Sequence, residues 1–506
     1  MSQISKNILA NALGRGWSML SVFIFIPIYI SILGVKMYGV ISFYAILQGM
    51  LIFIDAGLTA TLRRELAKGK DSLANREHKY KILRSIELIY LVIVIALISG
   101  VFLSSDYIVG TWLNIEDLDL QSTSRSVRIM GLALGLNFFS TLFYGGLLGL
   151  EKQVTSNILQ FSWSLVKNVG VILVLLLVQK SLDVFFWWQA LSNLIYVLGL
   201  RYFLIKYLKN NDKMGMQSFK DFRVLGGVWK FATGMLVISF ISAVNNQFDK
   251  LFISNSFSIS KLAIYTVAYS LAMIPIVIST PIATAVFPRL VKYKSNNERD
   301  KLISLFNNSF VLTLLFTASA GVSIAFNSKT FLLLWTQNED ISKAAAMPAA
   351  LLLLGQMLLS FQVIPFNLSL AKGDTKTIIR VGVFGVALFI PLVVVLAKYY
   401  GIIGAALSWL LNSIVITPIL ILLIVRKVGD ISVKNWLFPF FLKPLLLIIF
   451  GNLLFYLIKP ESLLSPIADF AYVFCSSLLV FMLSFRLVFE IKLAETFKFI
   501  KNELFA

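Results

Sequence analysis

The sequence is poor in the side chains that most catalysis and metal binding require. Its 506 residues include one cysteine, Cys475, and one histidine, His78. A lone cysteine inside an apolar run excludes an intrachain disulfide and a thiolate metal cluster. His78 lies in a charged loop with no Ser/His/Asp set to complete, and there is no Gly-rich phosphate loop, so neither a hydrolase nor an ATPase is expected. Asp117-Leu118-Asp119 has the form of a metal–sugar DxD motif, but it sits in a short connection with no domain around it and reads as a solvated acidic loop. Charge itself is scarce: 14% of residues, against about 25% in a soluble domain. The longest polar connections, 105–127 and 206–229, are too short to form a soluble domain. No small-residue cleavage site follows the first apolar run, so no removable leader is expected.

What is abundant is apolar sequence, 58% of the chain with a mean hydropathy of +0.84. Runs near twenty apolar residues mark membrane spans. Fourteen are expected, at 8–33, 38–60, 83–104, 128–150, 154–178, 183–205, 230–253, 262–288, 302–325, 347–370, 376–398, 401–425, 436–457 and 465–488. The fold class is therefore an all-α polytopic membrane protein. The net charge of +20 would suggest nucleic acid in a soluble chain. Here it follows topology. With both termini in the cytoplasm, 32 of the 45 Lys and Arg fall on cytoplasmic segments and inner span ends, and 9 on the outer side. That is the positive-inside pattern, and it removes the need for a nucleic-acid partner. In the fourth span, Gly131/Gly135 and Gly145/Gly149 have the small-xxx-small spacing of close helix contact.

The chain repeats itself. Shifted by 224 residues, Leu62–Lys68 lies over Val286–Lys292, matching Leu66 with Leu290 and Lys68 with Lys292. The turn before Tyr38–Gly39 lies over that before Leu262–Ala263. The expected organisation is a six-helix bundle at 1–208, a cytoplasmic linker at 209–228, a second six-helix bundle at 229–427, and two further helices in 428–506. An even number of spans per half makes the repeats parallel, and transporters of that build bind substrate between halves that rock against each other.

A charge within an apolar span costs roughly 2.5–3.5 kcal/mol at mid-helix and is a functional-site hypothesis by default. Arg15 lies about two turns inside the first span, Lys167 near the middle of the fifth, and Asp249–Lys250 toward the outer end of the seventh. Asn246 shares a helix face with Lys250 at i, i+4. Buried cations facing a water-filled cleft would form a cationic cavity suited to phosphate, so Arg15, Lys167, Lys250 and Asn246 are the candidate substrate-binding set. The bland alternatives are snorkelling for Arg15 and a structural pair for Asp249–Lys250. Asp55, striped with Thr59 and Arg63, is either a lock on one half or a coupling carboxylate, and Asp249 is a second gating or coupling candidate. Arg63, Arg64 and Arg289 mark orientation and could meet a lipid phosphate at the cytoplasmic mouth. With no ATP site and no cofactor expected, the energy source would be an H+ or Na+ gradient, the membrane potential or the substrate gradient.

Several short patterns, in order, resemble one family. They are Pro27…Leu33-Gly34…Tyr38-Gly39-Val40, Asp55-Ala56-Gly57-Leu58 and Arg64-Glu65; then Asp249, Ala263-Ile264-Tyr265-Thr266-Val267-Ala268-Tyr269 and Phe287-Pro288-Arg289-Leu290; then Lys372-Gly373-Asp374-Thr375-Lys376 and Gly401-Ile402-Ile403-Gly404-Ala405-Ala406. From about residue 20 to 425 the chain resembles the polysaccharide transporters, or O-antigen flippases, of the MOP (multidrug/oligosaccharidyl-lipid/polysaccharide) superfamily. The resemblance implies a V-shaped, MATE-like pair of bundles in a bacterial cytoplasmic (inner) membrane. It implies a cargo of undecaprenyl-pyrophosphate-linked oligosaccharide moved from the inner to the outer leaflet. Membrane lipids, and polymerase and chain-length proteins of the same pathway, would be its partners. A MATE-type multidrug exporter and a lipid II flippase are the alternatives. A membrane-embedded polymerase is disfavoured by the lack of a large external loop.

Overall fold

The structure is a computed structural model. It describes residues 3–55, 57–68, 73–209, 229–460 and 465–490, and within these the side chains at 3–16, 18–19, 52–54, 73–74, 229–238, 240 and 428 are not described. The described chain is helical, with no strand beyond an isolated bridge between Asn114 and Ser258. Most of the expected linker, 210–228, lies outside the described residues, as does the side chain of Arg15.

The helices run α1 (Gln3–Asp55), α2 (Leu58–Ala67), α3 (Leu73–Tyr107), α4 (Leu120–Gly149), α5 (Gln153–Leu177), α6 (Leu182–Lys209), α7 (Trp229–Ser256), α8 (Ile259–Ala272) and α9 (Ile274–Ser295). They continue as α10 (Arg299–Phe326), α11 (Ser328–Thr336), α12 (Glu339–Phe361), α13 (Val363–Ala371), α14 (Thr375–Leu423), α15 (Val433–Trp436), α16 (Lys443–Leu457) and α17 (Pro466–Phe489). Eleven helical stretches among the described residues are long and apolar enough to cross a membrane. Two of them, in α1 and α14, each cover two expected spans, and α7 supplies one more, which accounts for the fourteen.

Length explains the doubled helices. At about 1.5 Å per residue, a straight helix as long as α1 would reach about 80 Å, far beyond a hydrocarbon core of about 30 Å. The chain breaks instead at Gly34 (φ 81°) in α1 and at Gly401 (φ 61°) in α14, a region of backbone space that favours glycine. The second expected span also ends early. It stops at Asp55, and α2 starts after Gly57, which has φ 77°. The eighth is interrupted at Met273, just before Pro275, and the tenth at Gln362, just before Pro365, where proline removes a helix donor.

Contacts divide the chain into Met1–Ala263 and Ile264–Ala506. In the first unit α4 is the hub. A Cβ at Gly131 or Gly135 would meet Val101 and Ile98 of α3, and one at Gly145 or Gly149 would meet Thr59 and Arg63 of α2. The small-residue spacing thus seats two helices. α7 packs on α1, with Gln247 against Gly49. In the second unit α10 is the hub, and α16 and α17 pack on it. Trp436 donates to Asn307 Oδ1 (2.8 Å) and packs against Phe306 and Phe310, while Phe481 packs on Phe316 (4.6 Å). Lys459 and Asp469 (2.5 Å) close the α16–α17 connection, with Thr330 donating to the same carboxylate (2.6 Å).

The internal repeat is visible in backbone detail. After α4, the amides of Leu150, Glu151 and Lys152 bond the carbonyls of Gly146, Leu148 and Leu147. After α13, those of Lys372, Gly373 and Asp374 bond Leu368, Leu370 and Ser369, the same three bonds displaced by 222 residues. The left-handed residue falls at Glu151 in one and at Gly373 in the other.

Candidate functional site

α5 carries two adjacent polar stripes, as residues at i, i+4 must. One, Ser164 and Asn168, turns to α1: Trp17 Nε1 donates to Ser164 Oγ (3.0 Å), Tyr29 OH donates to Asn168 Oδ1 (3.0 Å), and Asn168 Nδ2 donates to Ser164 Oγ (3.3 Å). The other, Trp163 and Lys167, turns to α6. Trp163 stacks on Tyr196 (4.5 Å, 12°) and donates to Asn193 Oδ1 (3.2 Å), which is itself fixed by an Nδ2 bond to the Ala133 carbonyl (2.9 Å). The Lys167 ammonium lies 4.8 Å from the Trp163 ring centre. Half-buried, it forms no ion pair among the described residues, so an aromatic face is its nearest source of negative potential. The combination is an uncompensated cation, flat aromatic faces and side-chain amides on three helices.

Asp55 stands at the break between α1 and α2. Its Oδ1 accepts from Thr59 Oγ1 (2.6 Å), from the Thr59 amide (3.3 Å) and from the Tyr90 hydroxyl. Thr59 is the second residue of α2, so the carboxylate satisfies an orphan donor and the positive end of that helix. Tyr90 is fully buried and stacks on Phe138 (4.9 Å). Arg63, the third member of the expected stripe, is exposed and forms no bond to Asp55 among the described residues. Nearby, Glu87 is held between Arg84 (2.8 Å) and Arg201 (2.7 Å), an ion triad that ties α3 to α6.

Asp249 and Lys250 are buried as a pair, 3.2 Å apart, and Lys250 also donates to the Asn246 carbonyl (2.5 Å). The Lys250 charge is thus met by its neighbour. Asn246 donates to the Ser242 carbonyl (2.8 Å). Arg64 is exposed and Arg289 half-buried. Among the described residues no His, Cys, Asp and Glu side chains gather as a metal site.

One end of the first unit is latched. Ile259 donates to the Asn114 carbonyl (2.8 Å), Trp112 Nε1 to Ser254 Oγ (3.0 Å), and Ser260 Oγ to Glu116 Oε2 (2.8 Å). Lys36 pairs with Asp117 (2.5 Å) and reaches Glu116 (3.7 Å). Lys36 and Ser260 are equivalent under the 224-residue shift, and both meet Glu116. Asp119 caps α4 by accepting from the Ser122 amide (2.7 Å). The acidic loop is thus used for helix ends and ion pairs.

The model of the polysaccharide biosynthesis protein family matches residues 4–294, more than half of the chain. The chain belongs to that family. The MatE family model matches residues 235–395. A protein of Shigella flexneri described as "Putative O-antigen transporter" is 25% identical over 386 residues, 76% of this chain and 88% of its own length. Among solved structures, the lipid II flippase MurJ in an inward closed conformation superposes with a TM-score of 0.72, covering 95% of this chain and 98% of that one at 15% identity. An inward-facing MATE multidrug transporter of the MOP superfamily gives 0.65, covering 81% and 94% at 13% identity. These place the family member in the MOP superfamily of membrane transporters, with the fold of its flippases and exporters.

Of the residues singled out in the sequence, the structure joins Asp55 to Thr59 and Lys250 to Asp249 and Asn246, and it sets Lys167 apart from both groups. The partners that sequence reasoning missed are Trp163 beside Lys167 with Tyr196 stacked on it, Trp17, Tyr29 and Asn168 on the neighbouring stripe, and Tyr90 on Asp55. Asn168, a second polar residue beside Lys167 in an apolar run, was the available signal.

Proposed function

We propose that this transporter flips an undecaprenyl-pyrophosphate-linked oligosaccharide from the inner to the outer leaflet of a bacterial cytoplasmic membrane, with both termini in the cytoplasm. The observation that carries the reading is the Lys167 cluster. A sugar presents apolar ring faces and hydroxyls, which aromatic faces and amides recognise, and the pyrophosphate needs a cation that no carboxylate has neutralised. A MATE-type exporter of organic cations would be better served by an unpaired acid in this position. The latch supports alternating access. It joins residues 36–39 and 112–117 of the first repeat to 254–260 at the start of the second, and it would have to open once per cycle. Asp55, whose Oδ1 accepts from three donors, fits the lock better than the coupling carboxylate.

The test is complementation of a strain lacking this gene. Lys167→Ala should abolish surface polysaccharide at normal protein level and leave lipid-linked repeat units on the inner face, with Lys167→Arg retaining part of the activity. Unchanged polymer in Lys167→Ala would sink the cationic-site reading.

A further inference from the structure

The two repeats share a feature that transport of a single cargo does not call for. At the basic-loop end of the first unit, a cavity of about 320 Å³ is lined by Arg76 and Lys79 in the first turns of α3, by Glu151 and Lys152 between α4 and α5, and by Tyr207 at the end of α6. At the basic-loop end of the second unit, another of about 320 Å³ is lined by Tyr293 and Lys294 in the last turn of α9, by Arg299 at the start of α10, by Lys372 between α13 and α14, and by Asp430 after α14. Each is built at the same three places of its repeat: the connection after the second span, the connection after the fourth, and the end of the sixth. Each gathers three cations and one carboxylate. The residues have diverged, but the arrangement has not, and the three-bond turns that present Lys152 and Lys372 match bond for bond.

We propose that each cavity holds the phosphate of an anionic membrane-lipid headgroup. Positive-inside loops account for cations on this side of the membrane, but not for their convergence from separate connections into one cavity, twice. The duplication selects the ligand. A cargo that crosses once per cycle needs one path, whereas the leaflet surrounds both repeats alike and offers each the same headgroups. The cavities are also prepared for an anion. In the first, the Lys152 ammonium lies over the Tyr207 ring (4.9 Å). In the second, Asp430 binds Arg299 (2.6 Å). Burial and then the Lys294 charge hold the Lys372 pKa below its usual value, a cost that a bound phosphate would relieve.

Native mass spectrometry of the full-length protein in detergent, titrated with phosphatidylglycerol, tests the assignment independently of transport, so it can fail while the flippase reading stands. Two phosphatidylglycerols should bind ahead of phosphatidylcholine, with about a fivefold preference for each cation in contact. Lys294→Gln/Arg299→Gln/Lys372→Gln should remove one, Arg76→Gln/Lys79→Gln/Lys152→Gln the other, and Lys294→Arg/Lys372→Arg neither. Each triple variant keeps the other cavity as its control for folding. Equal binding of phosphatidylcholine, or two bound phosphatidylglycerols in the six-fold variant, would overturn the proposal. Binding of inorganic pyrophosphate in place of phosphatidylglycerol would reassign the cavities to soluble phosphates and equally overturn the lipid.

Discussion

The fifth span of the first repeat and the eleventh span of the second occupy equivalent places and are chemically opposite. Displacing the first-repeat site by 222 residues in its fifth span, and by 224 in its first, carries Ser164 to Val386, Lys167 to Phe389, Asn168 to Ile390, Trp17 to Ile241 and Tyr29 to Ile253. Each of these five polar or amphipathic residues becomes apolar. Phe389 is fully buried and packs edge-on against Trp409 (5.2 Å), where Lys167 is half-buried over Trp163. The scaffold was duplicated, and one copy alone carries polar chemistry in its α5-type helix. The phosphate cavities go the other way, preserved in both copies with different side chains. A symmetric feature points to what both repeats share, the membrane. An asymmetric one points to what only one repeat touches.

Exchanging the residues across the repeat should have the largest effect. Phe389→Lys puts an ammonium into a fully buried apolar contact, at a cost of several kcal/mol. The variant should fail to accumulate in membranes, as read by immunoblot. Lys167→Phe should accumulate normally and lose surface polysaccharide. Normal accumulation of Phe389→Lys would mean that the two regions are packed alike, and the contrast would be lost.

Next in size is Asp55 against its repeat partner Ser279. Asp55→Ala leaves Thr59 and Tyr90 without their shared acceptor beside a helix start, at a cost of about 2 kcal/mol. Ser279 donates to the Ile276 carbonyl within its own helix (3.0 Å), so Ser279→Ala should cost less than about 1 kcal/mol. Thermal unfolding in detergent reads both. Asp55→Asn should restore most of the loss if the group is a lock. A variant that unfolds like wild type but no longer transports would make it a coupling carboxylate.

The spans and the repeat were legible because hydropathy and positive charge report directly on the bilayer. Lys167 was legible because a charge in an apolar span is anomalous wherever it points. Its surroundings were not. Trp17 and Tyr29 look like any aromatics at helical spacing, and only the packing of α1 on α5 brings them to Ser164 and Asn168. Lys250 shows the same limit in reverse. The sequence exposes the charge, but whether Asp249 beside it acts as its partner depends on side-chain geometry. The breaks at Gly57 and Met273 were hidden because apolar composition continues through them, while a left-handed glycine and a following proline interrupt the helix.

The smallest effect concerns the latch, the one described place where equivalent residues of the two repeats meet the same group. Hydrogen bonding and then the charge of Lys36 hold the Asp117 carboxyl below its usual range. Burial raises that of Glu116, but bonds from Ser258 and Ser260 and the Lys36 ammonium together outweigh it and hold it low as well. A carboxylate whose folded pKa is depressed contributes stability above its unfolded pKa of about 4, and loses it as pH falls through the folded value. Near pH 7 the latch therefore has its full strength, and acidification below about pH 4 should loosen it. Protection against hydrogen exchange at 112–117 and 254–260, corrected for the intrinsic rate at each pH, should fall roughly a few-fold as pH drops below about 4, before protection in α10 changes. Lys36→Ala removes an exposed pair and should shift the onset to higher pH, whereas Ser260→Ala should shift it less because Lys36 still faces Glu116. If Ser260→Ala moved the onset further than Lys36→Ala, the second repeat's contact would dominate the latch, and the charge contributed by the first repeat would be secondary.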